Sequence, residues 1–111
     1  MARVKFYLKG SGRSPVEEFL RNCSQDVKEE FIEALVLLEL GKSLSMPLSR
    51  NLSSMYRGLH ELRLKDSAGQ YRFFYFIRKG DAVYFVHAIM KTTQELPKLE
   101  LELVLKRIKE I

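Results

Sequence analysis

The sequence predicts an α+β domain in which one twisted, mainly antiparallel sheet carries helices packed on it. Three features point there. An alternating apolar pattern opens the chain, two capped helical stretches follow, and three β-rich segments joined by tight turns lead into a last amphipathic stretch. The expected order is β-α-α-β-β-β-α. A length of 111 residues argues for one domain over 1–111, large enough for a modest core without disulfides or metals. Seven Phe and five Tyr supply large pieces to bury.

Val4, Phe6 and Leu8 alternate with Arg3, Lys5, Tyr7 and Lys9, the period of a strand with one face buried. Gly10-Ser11-Gly12 breaks it. Ser14-Pro15-Val16-Glu17 then reads as a helix start. The Ser14 hydroxyl accepts from free first-turn N–H groups, Pro15 has no N–H to lose, and Glu17 completes a capping box. This short helix is expected to end near Asn22. Ser24 can cap a second helix, with Val27, Phe31, Leu35 and Leu38 at helical spacing and Lys28, Glu29, Glu30 and Glu33 outside. From Ile32 to Leu40 the pattern is apolar nearly all round, which predicts packing on two sides, and Gly41 is a suitable stop.

Residues 42–55 read as a loop pinned by Leu44, Leu48 and Leu52. Residues 57–65, 71–78 and 82–90 read as a meander of strands joined by the turns Asp66-Ser67-Ala68-Gly69 and Lys79-Gly80-Asp81. A final helix is expected after Thr92-Thr93 or near Pro97, with Leu99, Leu103 and Ile108 as its apolar stripe.

The net charge is +5, which suggests a polyanion, a membrane surface or an acidic protein as partner. Its distribution is uneven. Residues 56–91 hold Arg57, Arg63, Lys65, Arg72, Arg78, Lys79 and Lys91 against Glu61, Asp66 and Asp81, so four of the five excess charges lie in this segment. One cysteine, Cys23, permits no internal disulfide, and two His without clustered Cys offer no zinc site. Cys23 is expected to be a small core or boundary residue. The opening residues carry charges where a leader would be apolar, and no apolar run is long enough to span a bilayer. A cytoplasmic protein with no membrane partner is expected.

Alternation along strands decides which side chains meet. It places Leu59, Glu61, Arg63 and Lys65 on one face of the first meander strand, with His60, Leu62 and Leu64 on the other. Arg72, Phe74, Phe76 and Arg78 share a face of the second strand, opposite Phe73, Tyr75 and Ile77. In the third, Val83, Phe85, His87 and Ile89 oppose Tyr84, Val86 and Met90. Arg63 and Arg72 stand at similar distances from the Asp66–Gly69 turn, and strands about 4.8 Å apart would let two arginines hold one phosphate between them. The alternative is that both are ordinary surface residues paired with Glu61. His60 and His87 are the two imidazoles available for proton transfer near neutral pH. His87 is preferred, since Lys91 follows it closely.

An ordered series runs through the second half: Gly58-Leu59-His60-Glu61-Leu62-Arg63, Tyr71-Arg72-Phe73-Phe74-Tyr75, Val86-His87-Ala88-Ile89-Met90-Lys91-Thr92-Thr93-Gln94, then Pro97 and Glu100. It resembles the phage-derived, HigB-like branch of the RelE/ParE toxin superfamily over residues 56–105; the first half matches in pattern alone. The resemblance implies a RelE-like, microbial-ribonuclease-like fold. It implies the toxin of a type II toxin–antitoxin pair, an endoribonuclease that cuts mRNA, often at the ribosome, by 2′-hydroxyl attack without metal or cofactor. The implied partner is a HigA-like helix-turn-helix antitoxin. By position, Arg63 would contact the scissile phosphate, and Arg72 and Lys91 would stabilise the developing charge. His87 would transfer the proton, with Lys65 assisting. Lys65, Arg57, Arg78 and Lys79 would bind RNA, and Tyr75 would stack on a base or fill the core. Two departures stand out: Lys91-Thr92 replaces a pair of lysines, and the last helix lacks the tyrosine some relatives carry. A gyrase-directed toxin of the ParE kind and a non-catalytic antitoxin- or RNA-binding module are the alternatives.

Overall fold

In the computed structural model, residues 3–78, 82–91 and 96–111 are described. They form β1 (Arg3–Phe6), α1 (Pro15–Arg21), α2 (Gln25–Glu39), β2 (Ser49–Asn51), β3 (Leu59–Asp66), β4 (Gly69–Ile77), β5 (Ala82–Met90) and α3 (Lys98–Lys109). The architecture is α+β, with one five-stranded sheet in the order β1-β5-β4-β3-β2. Every pairing is antiparallel except β1 with β5, which is parallel. No described helix is long and apolar enough to cross a membrane.

Both expected N-caps form. The Ser14 hydroxyl accepts from the Glu17 amide and the Ser24 hydroxyl from the Val27 amide, each at 3.2 Å. Each hydroxyl satisfies one of the donors a helix start leaves open. In the β3–β4 turn Asp66 Oδ1 accepts from the amides of Ala68 and Gly69 and from the Tyr71 hydroxyl. A hydrogen bond from Ser24, helped by those from Ala68, Tyr71 and Gly69, holds its carboxyl below the usual carboxylate range. Gly58 enters β3 at φ +90°, where a Cβ would sit 2.8 Å from the Ile77 carbonyl oxygen, so no side chain fits there.

The sheet separates two cores. On one face α1 and α2 bury Val16, Val27, Phe31, Ala34 and Leu38 against Leu62, Leu64, Phe73, Tyr75 and Phe85. Phe31 is the centre of that core, with its ring within 6.2 Å of Phe6, Phe73 and Phe85. On the other face α3 places Val104 and Ile108 on Leu59, Phe74 and Val86.

The structure departs from the sequence reading in four places. Residues 49–51 are a strand, not loop: they pair with residues 60–62 of β3, and the Ser49 hydroxyl bonds the Tyr75 hydroxyl at 2.6 Å. A three-residue polar strand has no apolar alternation to reveal it. The second half of α2 packs on one side, leaving Ile32 57% exposed and Val36, Leu37 and Leu40 exposed as well. The apolar stripe of α3 is rotated: Val104 and Ile108 are buried, Leu103 is half-buried, and Leu99 is 79% exposed. Finally, a bulge in β5 breaks the expected alternation. Phe74 pairs with His87 but Tyr75 pairs with Phe85, so Val86 is the extra residue. Each bulge shifts side-chain parity by one. His87 and Ile89 therefore leave the face of Val83 and Phe85 and join Tyr84 and Val86 beneath and beside α3. The Lys79-Gly80-Asp81 turn lies outside the described residues.

Candidate RNA-binding cleft

The ladder register builds the site in three rows across β3, β4 and β5, all on the α3 side of the sheet. Glu61, Phe74 and His87 form the first row. Arg63, Arg72 and Ile89 form the second, with Arg63 and Arg72 directly opposite each other. Lys65 and Gln70 begin the third, and the Lys91 amide donates to the Gln70 carbonyl at 2.7 Å to complete it. The first row lies under α3. The second and third lie toward the β3–β4 turn, where Arg63, Lys65, Arg72 and Lys91 line one cleft of about 340 Å³ that also takes in Glu30 of α2 and Leu64 and Tyr71 from the α2 side of the sheet.

Two arginines opposite each other in an antiparallel pair repel, since their Cβ atoms are about 5 Å apart. The fold offsets this with Glu61. Its carboxylate is 3% exposed and stands 3.7 Å from Arg63 Nε by one oxygen and 3.6 Å from Arg72 Nε by the other. Arg72 is nearly as buried, at 4% exposed, whereas the Arg63 side chain remains 32% exposed. Arg63 Nη1 also contacts Met46 Sδ at 3.7 Å, and the neighbouring Pro47 and Leu48 line the cleft. Such a cleft, cationic on several strands and open to solvent, suits a phosphodiester.

His87 is placed differently from the expectation of a proton carrier. It does not line the cleft. Its Nδ1 accepts from Arg107 Nη1 at 3.0 Å, and its Nε2 bonds the Glu100 carboxylate. Arg107 can only donate, so Nδ1 is the bare nitrogen and Nε2 carries the proton toward Glu100. Burial pushes the His87 pKa down, against the pull of Glu100. The ring is a neutral bridge that ties α3 to β5. Arg107 strengthens the tie by donating to the Val86 carbonyl at 2.9 Å and lying over the Tyr7 ring.

The remaining expected residues divide. Lys65 belongs to the cleft. Arg57 precedes β3 and Arg78 follows β4, so both stand at the opposite end of the sheet. Six residues of strand, about 20 Å, separate Arg78 from Arg72, and neither Arg57 nor Arg78 shares the cleft. Tyr75 is in the core: its ring packs on Phe85 and stacks on His60, and its hydroxyl meets Ser49. It has no surface on which to stack a base. His60 is half-buried on the α2 side, and burial depresses its pKa. Cys23 packs at the edge of the α2-side core, its thiol donating to the Phe19 carbonyl and its pKa raised by burial. Lys79, Thr92, Thr93 and Gln94 lie outside the described residues.

Glu61 entered the sequence reading as the partner of the two arginines, and the structure pairs it with both, although Arg72 is buried and not a surface residue. Gln70 and Glu30, which line the cleft, gave no signal, because their place depends on register and on how α2 crosses the sheet. Among the described residues no group of His, Cys, Asp and Glu could hold a metal ion.

The family model of phage-derived Gp49-like proteins (DUF891) matches residues 18–109. The chain belongs to this family. Gp49-like proteins fall within the RelE/toxin-like superfamily and are often toxin-like components of toxin–antitoxin systems, which implies an antitoxin partner in general. None of the curated proteins matches this Gp49-like chain. The matched span covers every residue of the cleft, from Glu30 to Lys91.

Proposed function

We propose that this chain is the toxin of a type II toxin–antitoxin pair, of the HigB-like branch, and that it inhibits translation by cutting mRNA. The observation that carries the reading is the cross-strand pair Arg63 and Arg72, flanked by Lys65 and Lys91 in one cleft. In this reading the two guanidiniums hold the non-bridging oxygens of one phosphate. The ribose 2′-hydroxyl gives its proton to water as its oxygen attacks phosphorus, the bond to the 5′-oxygen breaks, that oxygen takes a proton from water, and a cyclic phosphate and a free 5′-hydroxyl remain. Fixed cations aimed at the phosphorane do most of the work, as preorganised charge does in general. Lys65 and Lys91 steer the neighbouring backbone. His87 serves as the residue that holds α3 against β5. The substrate is message on the ribosome, and the partner is a HigA-like helix-turn-helix antitoxin.

The test is induction of the chain with readouts for both translation and DNA damage. Labelled amino-acid incorporation should stop while DNA-damage signalling stays at baseline. Arg63→Ala and Arg72→Ala should each lower cleavage of ribosome-bound message by about 100-fold or more, with the far-ultraviolet circular dichroism of the wild type retained. Full toxicity in both variants would remove the cleft from the mechanism. Damage signalling without translational arrest would instead identify a gyrase-directed toxin.

A further inference from the structure

We infer that Glu61 is the positioning residue of the phosphate-binding pair, setting Arg63 and Arg72 for one phosphate; this rests on the reading of the cleft as an RNA-phosphate site. Three observations support it. Glu61 is buried, and a carboxylate is rarely buried without a charged partner. Its two oxygens face the Nε atoms of two different arginines at nearly equal distance, 3.7 and 3.6 Å. Those arginines are direct cross-strand partners, an arrangement that is repulsive without an intervening anion.

The geometry gives the pairing a direction. Each guanidinium turns its Nε edge toward Glu61. At 3.7 and 3.6 Å these contacts are ion pairs and not hydrogen bonds, so Glu61 acts on the two forks through its charge. One buried anion thus orients two planar forks, the group that recognises phosphate by paired parallel hydrogen bonds. Its charge also offsets part of the repulsion between the two guanidiniums beside it. Without the carboxylate, the more exposed partner, Arg63, is the one that swings toward solvent, because Arg72 is packed in.

Glu61→Gln keeps the size of the side chain and removes its charge. Glu61→Asp keeps the charge and withdraws it by one methylene. Both are compared with the wild type in the native chain and in an Arg63→Ala background. The readouts are the cleavage rate on ribosome-bound message and the affinity for a 2′-O-methyl RNA oligonucleotide, which cannot be cut. Glu61→Gln is expected to lower cleavage and oligonucleotide affinity at least 10-fold, with Glu61→Asp intermediate. In the Arg63→Ala background the same change should cost less than about 3-fold, since residues that act as a unit are not additive. A residue needed only for folding would lower both backgrounds equally, so an equal loss overturns the inference, as does a Glu61→Gln protein indistinguishable from wild type. If Glu61→Gln does not fold, Glu61→Asp decides by the same cycle. If the wild type cuts no message but its oligonucleotide affinity depends on Glu61 through Arg63, the nuclease reading falls and the positioning role stands.

Discussion

His87 joins β5 to α3, its Nδ1 accepting from Arg107 and its Nε2 bonding the Glu100 carboxylate. The arginines 63 and 72 were readable because turn position and strand parity fix their pairing, and the register bears that out. His87 was misplaced because one inserted residue, Val86, reverses parity from that point on, and nothing in the run Ala82–Met90 marks the bulge. Its role follows from its contacts. Burial depresses the His87 pKa, with Arg107 adding to the effect and Glu100 opposing it, and burial depresses that of His60. For a histidine held neutral in the fold, the stabilisation is complete above its unfolded pKa of 6.5 and is lost as pH falls through the lower folded value, because the unfolded chain then binds the extra proton. The melting temperature should therefore decline as pH falls below about 7. The decline should be shallower in His87→Gln, and comparison with His60→Gln separates the two contributions. A wild-type melt that stays level over this fall in pH would contradict the neutral bridge. The basis is linkage between protonation and folding.

Elements were legible in proportion to how local their determinants are. The caps of α1 and α2 were found because Ser-Pro-x-Glu and Ser-x-x-Val place hydroxyls at fixed offsets from open amides. β3, β4 and β5 were found from alternation and turn residues. β2 was missed because its pairing comes from the β3 edge, and the exposed face of α2 was misread because apolar content does not say which side meets the sheet. The Ser24 cap has a measurable weight. Its hydroxyl accepts from the Val27 amide and also reaches Asp66 in the β3–β4 turn, so it joins the start of α2 to the sheet. Ser24→Ala should cost about 1 kcal/mol, a fall in melting temperature of about 4 °C for a domain of this size. Val36→Lys, on the exposed face of α2, should change stability by less than about 0.5 kcal/mol. Thermal melts followed by circular dichroism check both. Equal losses would mean that the outer face of α2 is covered in solution.

At the scale of the whole molecule, one sheet divides the apolar interior into two unequal parts. The α1–α2 side is ringed by aromatic contacts among Phe6, Phe19, Phe31, Phe73 and Phe85. The α3 side rests on Val104, Ile108 and the polar tie of Arg107 to Val86 and His87. A helix held by a small apolar seam and a few polar contacts opens more readily than a strand buried on both faces. Hydrogen exchange should therefore find the amides of α3 less protected than the central amides of β4 and β5. Two variants distinguish a local opening of α3 from unfolding of the whole chain. Leu38→Ala, in the α2-side core, should cost about 2–5 kcal/mol. If α3 opens while that core stays intact, the variant destabilises closed and α3-open forms alike. Exchange in β4 and β5 then quickens by about 30-fold or more at 2 kcal/mol, while exchange in α3 is unchanged. Arg107→Met removes contacts made only in the closed form, so it raises exchange in α3 as well as in the strands. Were Leu38→Ala to quicken α3 and the strands together, α3 would belong to one cooperative unit with the sheet. The cleft at the β3–β4 end would then gain its rigidity from the whole fold, not from the α2-side core alone.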